Sequence, residues 1–108
     1  MNKIKIAIFG LGVVGSHVVK LLEKNKFNLN GSKFEIVALG AKNKSKKRNF
    51  NVKKYQWISN FSDLEKNYDK PDVIIETIGG TGAYINKLYI YCIKNGISLI
   101  TANKAQLA

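Results

Sequence analysis

The stretch that decides the fold is "IAIFGLGVVGSHVVKLL", residues 6–22. It begins as an apolar run, passes through Gly10, Gly12 and Gly15, and continues with apolar residues at helical spacing. A G-x-G-x-x-G spacing alone is weak evidence, but one that follows a strand and opens a helix is informative. We therefore predict a strand, a tight turn and a helix in that order.

Each of the three glycines has its own purpose in such a turn. Gly10 permits the tight turn, Gly12 has no Cβ and lets the backbone approach a pyrophosphate, and Gly15 lets the helix pack closely on the strand. The free N–H groups at the helix start then face the phosphates, and the helix dipole favours their charge. The sequence predicts a dinucleotide site here, and the alternative is a structural turn without a ligand.

Four apolar runs, 4–9, 34–40, 72–78 and 97–101, predict the strands of a sheet. Three of them are nearly continuous in Val, Ile and Leu, as expected of parallel strands buried on both faces, whereas 4–9 alternates at first and then becomes continuous. Residues 55–58, "YQWI", are a weaker strand candidate.

Helical patterns lie between these runs. Segments 13–25 and 82–94 each carry an apolar stripe, formed by Val14, Val18, Leu21 and Leu22 in the first and by Leu88, Tyr91 and Cys92 in the second. Gly96 is expected to end the second helix. The capping box "SDLE" at 62–65 predicts a further short helix that ends before Pro71.

Strands that alternate with helices imply parallel pairing through right-handed crossovers. The sequence therefore predicts an α/β fold: a Rossmann-type doubly wound parallel sheet of strand order 3-2-1-4-5, in three α/β/α layers. The length of 108 residues suits one domain, residues 1–108.

Composition excludes several classes of protein. The hydrophobic fraction is 45%, yet no apolar run approaches the ~20 residues that span a bilayer, so we expect no membrane association. The N-terminus does not resemble a signal peptide, and the single cysteine suits a reducing, cytoplasmic location. One histidine, His17, and one cysteine, Cys92, cannot form a metal site. We expect His17 at the surface and Cys92 in the core.

The net charge of +11 invites a nucleic-acid interpretation. However, all but one of the basic residues are lysines, which A/T-rich codons alone would favour, and many of them cluster in one loop without stacking aromatics. We expect no nucleic-acid partner.

The loop after the second strand bears on the choice of dinucleotide. An NAD site usually has an acidic residue there, whereas this chain has none between Glu35 and Asp63 and has seven basic residues instead. A lysine would pair with a 2′-phosphate, so we predict that NADP(H) is preferred and NAD(H) possible, with Lys42 the first contact and Lys44 or Lys46 next. The alternative is a solvated lysine loop.

At four places the sequence resembles homoserine dehydrogenase: "IAIFGLGVVGSHVVKLL", "IVALGAKNKSK", "PDVIIETIGG" and "NGISLITANKAQLA". The "TANKA" element at 101–105 is the most specific of them. The likeness covers essentially the whole chain, but it corresponds to the N-terminal, nucleotide-binding part of that family.

The resemblance implies NAD(P)-dependent, reversible interconversion of L-homoserine and L-aspartate 4-semialdehyde, on the route to threonine and methionine. It implies that residues 9–15 hold the pyrophosphate (Phe9, Gly10, Leu11, Gly12, Val13, Val14 and Gly15) and that Lys42 meets the 2′-phosphate. It also implies that Thr77, Ile78 and Gly79 line the far side of the cofactor.

The resemblance gives Lys104 a catalytic role, because this lysine matches the motif lysine beside the nicotinamide. Asn103 and Lys104 follow the last strand directly, at the edge of the sheet where ligands of such folds bind. An ammonium there would stabilise the negative charge that develops on the oxygen of an aldehyde as it is reduced. By contrast, Glu76 inside an apolar strand is expected to be a structural carboxylate bonded to the backbone.

In this family a second domain supplies the substrate pocket and the dimer interface, so we expect an isolated 1–108 chain to be a fragment with little or no activity. The small-molecule substrate and the homo-oligomer are then expected only with that second domain. The alternative is a non-catalytic NADP(H)-binding module, or a subunit that needs a partner chain. We also expect "ISLIT" to be an exposed sheet edge that promotes self-association.

Overall fold

The computed structural model describes residues 3–24, 31–41, 50–58, 70–78 and 83–102. Within these ranges the chain forms five strands: β1 Lys3–Phe9, β2 Lys33–Gly40, β3 Gln56–Trp57, β4 Val73–Glu76 and β5 Ser98–Thr101. Two α-helices accompany them, α1 Val13–Lys24 and α2 Ala83–Asn95, with a short 3-10 helix at Val52–Lys54. The helix predicted from the capping box at 62–65 lies outside the described residues.

The sheet has the predicted topology. Its strand order is β3-β2-β1-β4-β5, and all four neighbouring pairs are parallel. The weak candidate at 55–58 is confirmed as the short strand β3, and the backbone N–H of Ile58 donates to Leu39 just beyond it. β1 is the central strand, flanked by β2 and β4, and these interior strands contribute fully buried residues such as Ile8, Leu39 and Ile74.

Alternate residues of β1 face opposite layers of the fold. Ile6 and Ile8 pack in one cluster with Val19 of α1, whereas Ala7 and Phe9 pack in another cluster with α2. Since a strand has a side-chain period of two, this division places α1 and α2 on opposite faces of the sheet. The predicted α/β/α layering is confirmed.

The predicted stripe of α1 was partly wrong. Val14 and Leu21 are exposed, whereas Gly15 and Val19 are buried and Val18 and Leu22 pack beside them. The inward positions 15, 18, 19 and 22, of which 18 and 22 are partly buried, follow the helical i, i+3, i+4, i+7 spacing. The stripe is rotated because Gly15 lies closest to the sheet and therefore sets the inward face.

The stripe and the end of α2 are as predicted. Leu88, Tyr91 and Cys92 are buried, and burial raises the pKa of the Cys92 thiol to about 11, which keeps it neutral. Gly96 follows the helix with φ of 64°, and the N–H of Ile97 donates back to the Cys92 carbonyl at 2.9 Å. These features form a glycine-terminated helix end.

The far end of α1 is linked to the region before β3. The Tyr55 hydroxyl donates to the Glu23 carboxylate of α1. Burial, this hydrogen bond and the negative charge of Glu23 together raise the pKa of Tyr55 above its ordinary value. The phenol therefore stays protonated and ties α1 to the segment that leads into β3.

Among the described residues β5 pairs with β4 alone, so its other side is a sheet edge. Ile100 on this strand is 58% exposed, and Ile90 and Ile93 of α2 are exposed as well. Neither described helix is long and apolar enough to cross a membrane.

We predict that the 108-residue chain self-associates at high concentration and that Ile100→Lys reduces this, because a charge on an exposed edge opposes strand pairing. Light scattering across a concentration series is the measurement. Asn86→Lys, on the exposed surface of α2, adds the same charge away from the edge and should leave self-association unchanged. A monodisperse monomer of the unmodified chain at high concentration would contradict the prediction.

Candidate dinucleotide-binding site

The glycine turn after β1 is held between two neighbouring strands. Gly10 has φ of 96°, a left-handed conformation that side chains rarely adopt. Its N–H donates to the Gly40 carbonyl at the end of β2 at 2.8 Å. On the other side, the N–H of Thr77 donates to the Phe9 carbonyl at 2.9 Å, and the Thr77 hydroxyl donates to the Gly10 carbonyl at 2.8 Å. The turn is thus fixed at the carboxyl edge of the sheet.

Two positions in this turn have no room for a side chain. A Cβ on Gly15 would lie 1.8 Å from the Gly10 carbonyl oxygen and 2.7 Å from Thr77 Oγ1. A Cβ on Gly10 would lie 2.8 Å from both Thr77 Oγ1 and the Ile78 nitrogen. The predicted purposes of Gly10 and Gly15, a tight turn and close packing of helix on strand, are confirmed.

Gly12 is different, because the space beside it is open. It is exposed, and a Cβ built on it would meet nothing within 4 Å. Its carbonyl accepts the N–H of Ser16 at 2.9 Å, which begins the hydrogen bonding of α1. The amides of the first helical turn have no partner within the helix and lie directly after Gly12. An anion such as a pyrophosphate fits these donors.

Exposed apolar side chains lie in the glycine turn and next to it. Val13 is 91% exposed, Val14 is 56% exposed, and Ile78 beside the turn is 38% exposed. Apolar side chains next to a few converging polar groups are typical of ligand sites. By contrast, Phe9 and Leu11 are buried, so these two contribute their backbone to the rim of the site.

The carboxyl end of β4 carries a buried carboxylate. Glu76 is fully buried, and its Oε2 accepts the backbone N–H of Ile78 at 2.6 Å. Its Oε1 accepts the Thr101 hydroxyl at the end of β5, also at 2.6 Å. The predicted backbone hydrogen bond of Glu76 is present. The sequence analysis did not predict Thr101 as a partner of Glu76. The feature that could have indicated it is a hydroxyl residue at the carboxyl end of β5, directly beside the end of β4.

The end of β2 has no side chain. A Cβ on Gly40 would lie 2.7 Å from the Ile58 carbonyl oxygen and 2.8 Å from the Phe9 ring. A carboxylate therefore cannot replace Gly40 without displacing its neighbours. This position is close to the one where NAD sites carry an acidic residue.

The remaining predicted site residues, Lys42, Lys44, Gly79, Asn103 and Lys104, lie outside the described residues. His17 is exposed on α1, as predicted. In the described part of the chain, no three His, Cys, Asp or Glu side chains come together in the way that a metal ion requires.

A parallel α/β sheet with a glycine turn between β1 and α1, at the carboxyl edge where its strands end, defines a Rossmann-type nucleotide-binding domain. A family model described as "Homoserine dehydrogenase, NAD binding domain" matches residues 10–108. The chain belongs to this family.

Individual relatives agree with the family match. The homoserine dehydrogenase of Pseudomonas aeruginosa is 30% identical over 111 residues, which cover 100% of this chain and 25% of that protein. A crystal structure of S. aureus homoserine dehydrogenase at pH 6.5 is 36% identical with a TM-score of 0.81, covering 96% of this chain and 27% of that one. The chain thus spans about a quarter of the length of these relatives.

A more distant structure shares the fold alone. A hyperthermophilic archaeal homoserine dehydrogenase mutant in complex with NADPH is 19% identical, with a TM-score of 0.67, and the match covers 94% of this chain and 36% of that one.

Because the space is open at Gly12 and closed at Gly15, a change to alanine should affect ligand binding at Gly12 and stability at Gly15. Gly15→Ala should destabilise the fold by about 3 kcal/mol or more, since its Cβ would overlap a backbone oxygen. Gly12→Ala should change stability by about 0.5 kcal/mol or less but weaken NADPH binding about tenfold or more, because its methyl group occupies the open space.

Denaturant unfolding and fluorescence titration, applied to both variants, measure the two effects. Unaltered NADPH affinity in Gly12→Ala would contradict the assignment of the open space, and unaltered stability in Gly15→Ala would contradict the packing.

Proposed function

We propose that residues 1–108 form the NAD(P)-binding domain of an oxidoreductase of the homoserine dehydrogenase type. The observation that carries this proposal is the glycine turn, whose closed positions at Gly10 and Gly15 hold α1 against β1 while Gly12 leaves the helix start open. The family match over residues 10–108 supports it. The substrate pair is L-homoserine and L-aspartate 4-semialdehyde.

The cofactor's pyrophosphate binds at residues 9–15. The amides at the start of α1 donate to it, and the helix dipole stabilises its negative charge. The exposed side chains of Val13 and Val14 shield the phosphates from water on the outer side. Thr77, Ile78 and Gly79 line the far side of the cofactor, where Thr77 is already tied to the glycine turn through the Gly10 carbonyl.

The reacting end of the cofactor lies near the residues that follow β5. A bound nicotinamide supplies the hydride chemistry of this family. Lys104 positions the reacting carbonyl and stabilises the charge on its oxygen, and Asn103 helps to hold the cofactor beside it. The "TANKA" element that contains both residues supports these roles.

NADP(H) is the preferred cofactor, with Lys42 and then Lys44 as the contacts to the 2′-phosphate. Two observations support this preference. The packing around Gly40 excludes a side chain, and hence a carboxylate, at the end of β2. The loop that follows carries seven basic residues and no acidic one before Asp63. In addition, the archaeal relative of the same fold was solved with NADPH.

A second candidate is a binding module that does not catalyse a reaction by itself. The glycine turn supports cofactor binding in this case as well. In that case NADP(H) binds normally and turnover requires a partner chain.

We expect the unmodified chain to bind NADPH more tightly than NADH, and Lys42→Glu to reverse or abolish this difference, because a carboxylate repels the 2′-phosphate. Titration of intrinsic fluorescence with each cofactor gives the affinity ratio. Lys87→Glu, exposed on α2, makes the same charge change elsewhere and should keep the ratio. Tighter binding of NADH by the unmodified chain would exclude the proposed preference.

Lys104→Met should leave NADPH affinity within about threefold but lower turnover by about 10²-fold or more, because the charge on the reacting oxygen loses its stabilising ammonium. Turnover is measured after adding a chain with the remaining three quarters of the S. aureus enzyme. Lys94→Met, at the end of α2, is the matched control and should turn over normally. Equal turnover in both variants would remove Lys104 from the mechanism. Turnover without the added chain would exclude the non-catalytic module.

A further inference from the structure

Glu76 joins the two chain segments that leave the sheet next to the proposed cofactor site. Its carboxylate accepts the Ile78 N–H just after β4 and the Thr101 hydroxyl at the end of β5. Its own backbone carbonyl accepts the N–H of Ala102 at 3.0 Å. Glu76 therefore fixes the distance between the residues just after β4 and those at the end of β5.

A third element completes the arrangement. The Tyr89 hydroxyl of α2 lies 3.2 Å from Thr101 Oγ1 and 3.4 Å from Glu76 Oε1. The Tyr89 hydroxyl donates to Glu76 Oε1 and is also within hydrogen-bond distance of the Thr101 oxygen. Helix α2 is thereby tied to the same carboxylate.

The arrangement also reaches the glycine turn. The Ile78 nitrogen held by Glu76 is the atom that a Cβ on Gly10 would meet at 2.8 Å, and the adjacent Thr77 hydroxyl donates to the Gly10 carbonyl. Because the Ile78 N–H is used inside the protein, Ile78 offers the site its exposed apolar side chain but no N–H donor.

A carboxylate at this place is costly for the fold. Glu76 is fully buried at the end of a strand whose other residues, Val73, Ile74 and Ile75, are apolar. Well-packed apolar residues often serve stability as well as buried charges do. An apolar residue here, however, would leave the Ile78 N–H and the Thr101 hydroxyl without this acceptor. The carboxylate therefore satisfies these two donors and, by doing so, fixes the position of the residues that carry them.

We propose that Glu76 is a positioning residue for cofactor binding: its buried carboxylate sets the placement of Ile78 after β4 relative to Thr101 and Ala102 at the end of β5, and so the rim of the site beside the glycine turn. This inference rests on the proposed cofactor site. Its action is indirect, through the Ile78 amide and the Thr101 hydroxyl.

The test compares three variants of the 108-residue chain by NADPH titration and thermal unfolding. Glu76→Ala removes both acceptors and should weaken binding about tenfold or more. Glu76→Gln keeps one acceptor oxygen for the Ile78 N–H and should stay within about threefold. Ile97→Ala is the control: it removes buried volume from the core at the other end of β5, so it should lower the unfolding temperature and keep the affinity within about twofold.

Hydrogen exchange at the Ile78 amide gives a readout that does not require cofactor. Exchange should be slow in the unmodified chain, Glu76→Gln and Ile97→Ala, and fast in Glu76→Ala. If Glu76→Ala does not fold, Thr101→Val serves in its place, because it keeps the side-chain volume and removes one of the two ties. It should weaken NADPH binding measurably, by about threefold.

The outcomes separate this inference from the function on which it rests. Failure of the unmodified chain to bind NADPH would overturn the proposed function, and the positioning role in cofactor binding with it. Normal NADPH binding by the unmodified chain with equally tight binding by Glu76→Ala would overturn the positioning role alone. If Ile97→Ala weakened NADPH binding as much as Glu76→Ala does, loss of stability alone would explain both results. That result would also overturn the positioning role of Glu76.

Discussion

The structure depends on one close approach, between the start of α1 and the end of β1. The α-carbon of Gly15 lies so near the Gly10 carbonyl that a single methyl group at residue 15 would overlap it. This approach allows α1 to lie on the sheet with Val19 in the core and its first turn at the carboxyl edge. Every feature of the proposed phosphate site, including the open space at Gly12, follows from where the helix begins.

The neighbouring rim of the site is held in place by a different interaction. The turn depends on close packing at Gly10 and Gly15, where a side chain does not fit. The residues after β4 and at the end of β5 are instead held by hydrogen bonds to one buried carboxylate. Thr77 connects the two parts, because its backbone and its hydroxyl both bond to the turn. A ligand binds more tightly when the groups that contact it are already held in place, and these hydrogen bonds hold both parts of the proposed site.

The sequence allowed the fold and the turn to be predicted because both depend on local patterns. Strand order followed from alternating apolar runs, and the roles of Gly10 and Gly15 followed from their spacing. The inward face of α1 was missed at Val14 and Leu21, because apolar spacing alone does not reveal that Gly15 sets the contact. The partners of Glu76 were missed because they depend on which strand ends lie side by side, and Thr101 is 25 residues away.

The central claim is that backbone amides at the glycine turn bind the pyrophosphate, and an NMR titration of the ¹⁵N-labelled chain with NADH tests it most directly. NADH lacks the 2′-phosphate of NADPH. Its only phosphate charge is that of the pyrophosphate, so the basic residues of the loop after β2 attract it less strongly. The account predicts that the largest amide shifts occur at residues 11–15. Shifts confined to the basic residues between Lys42 and Lys54, with residues 11–15 unchanged, would contradict it.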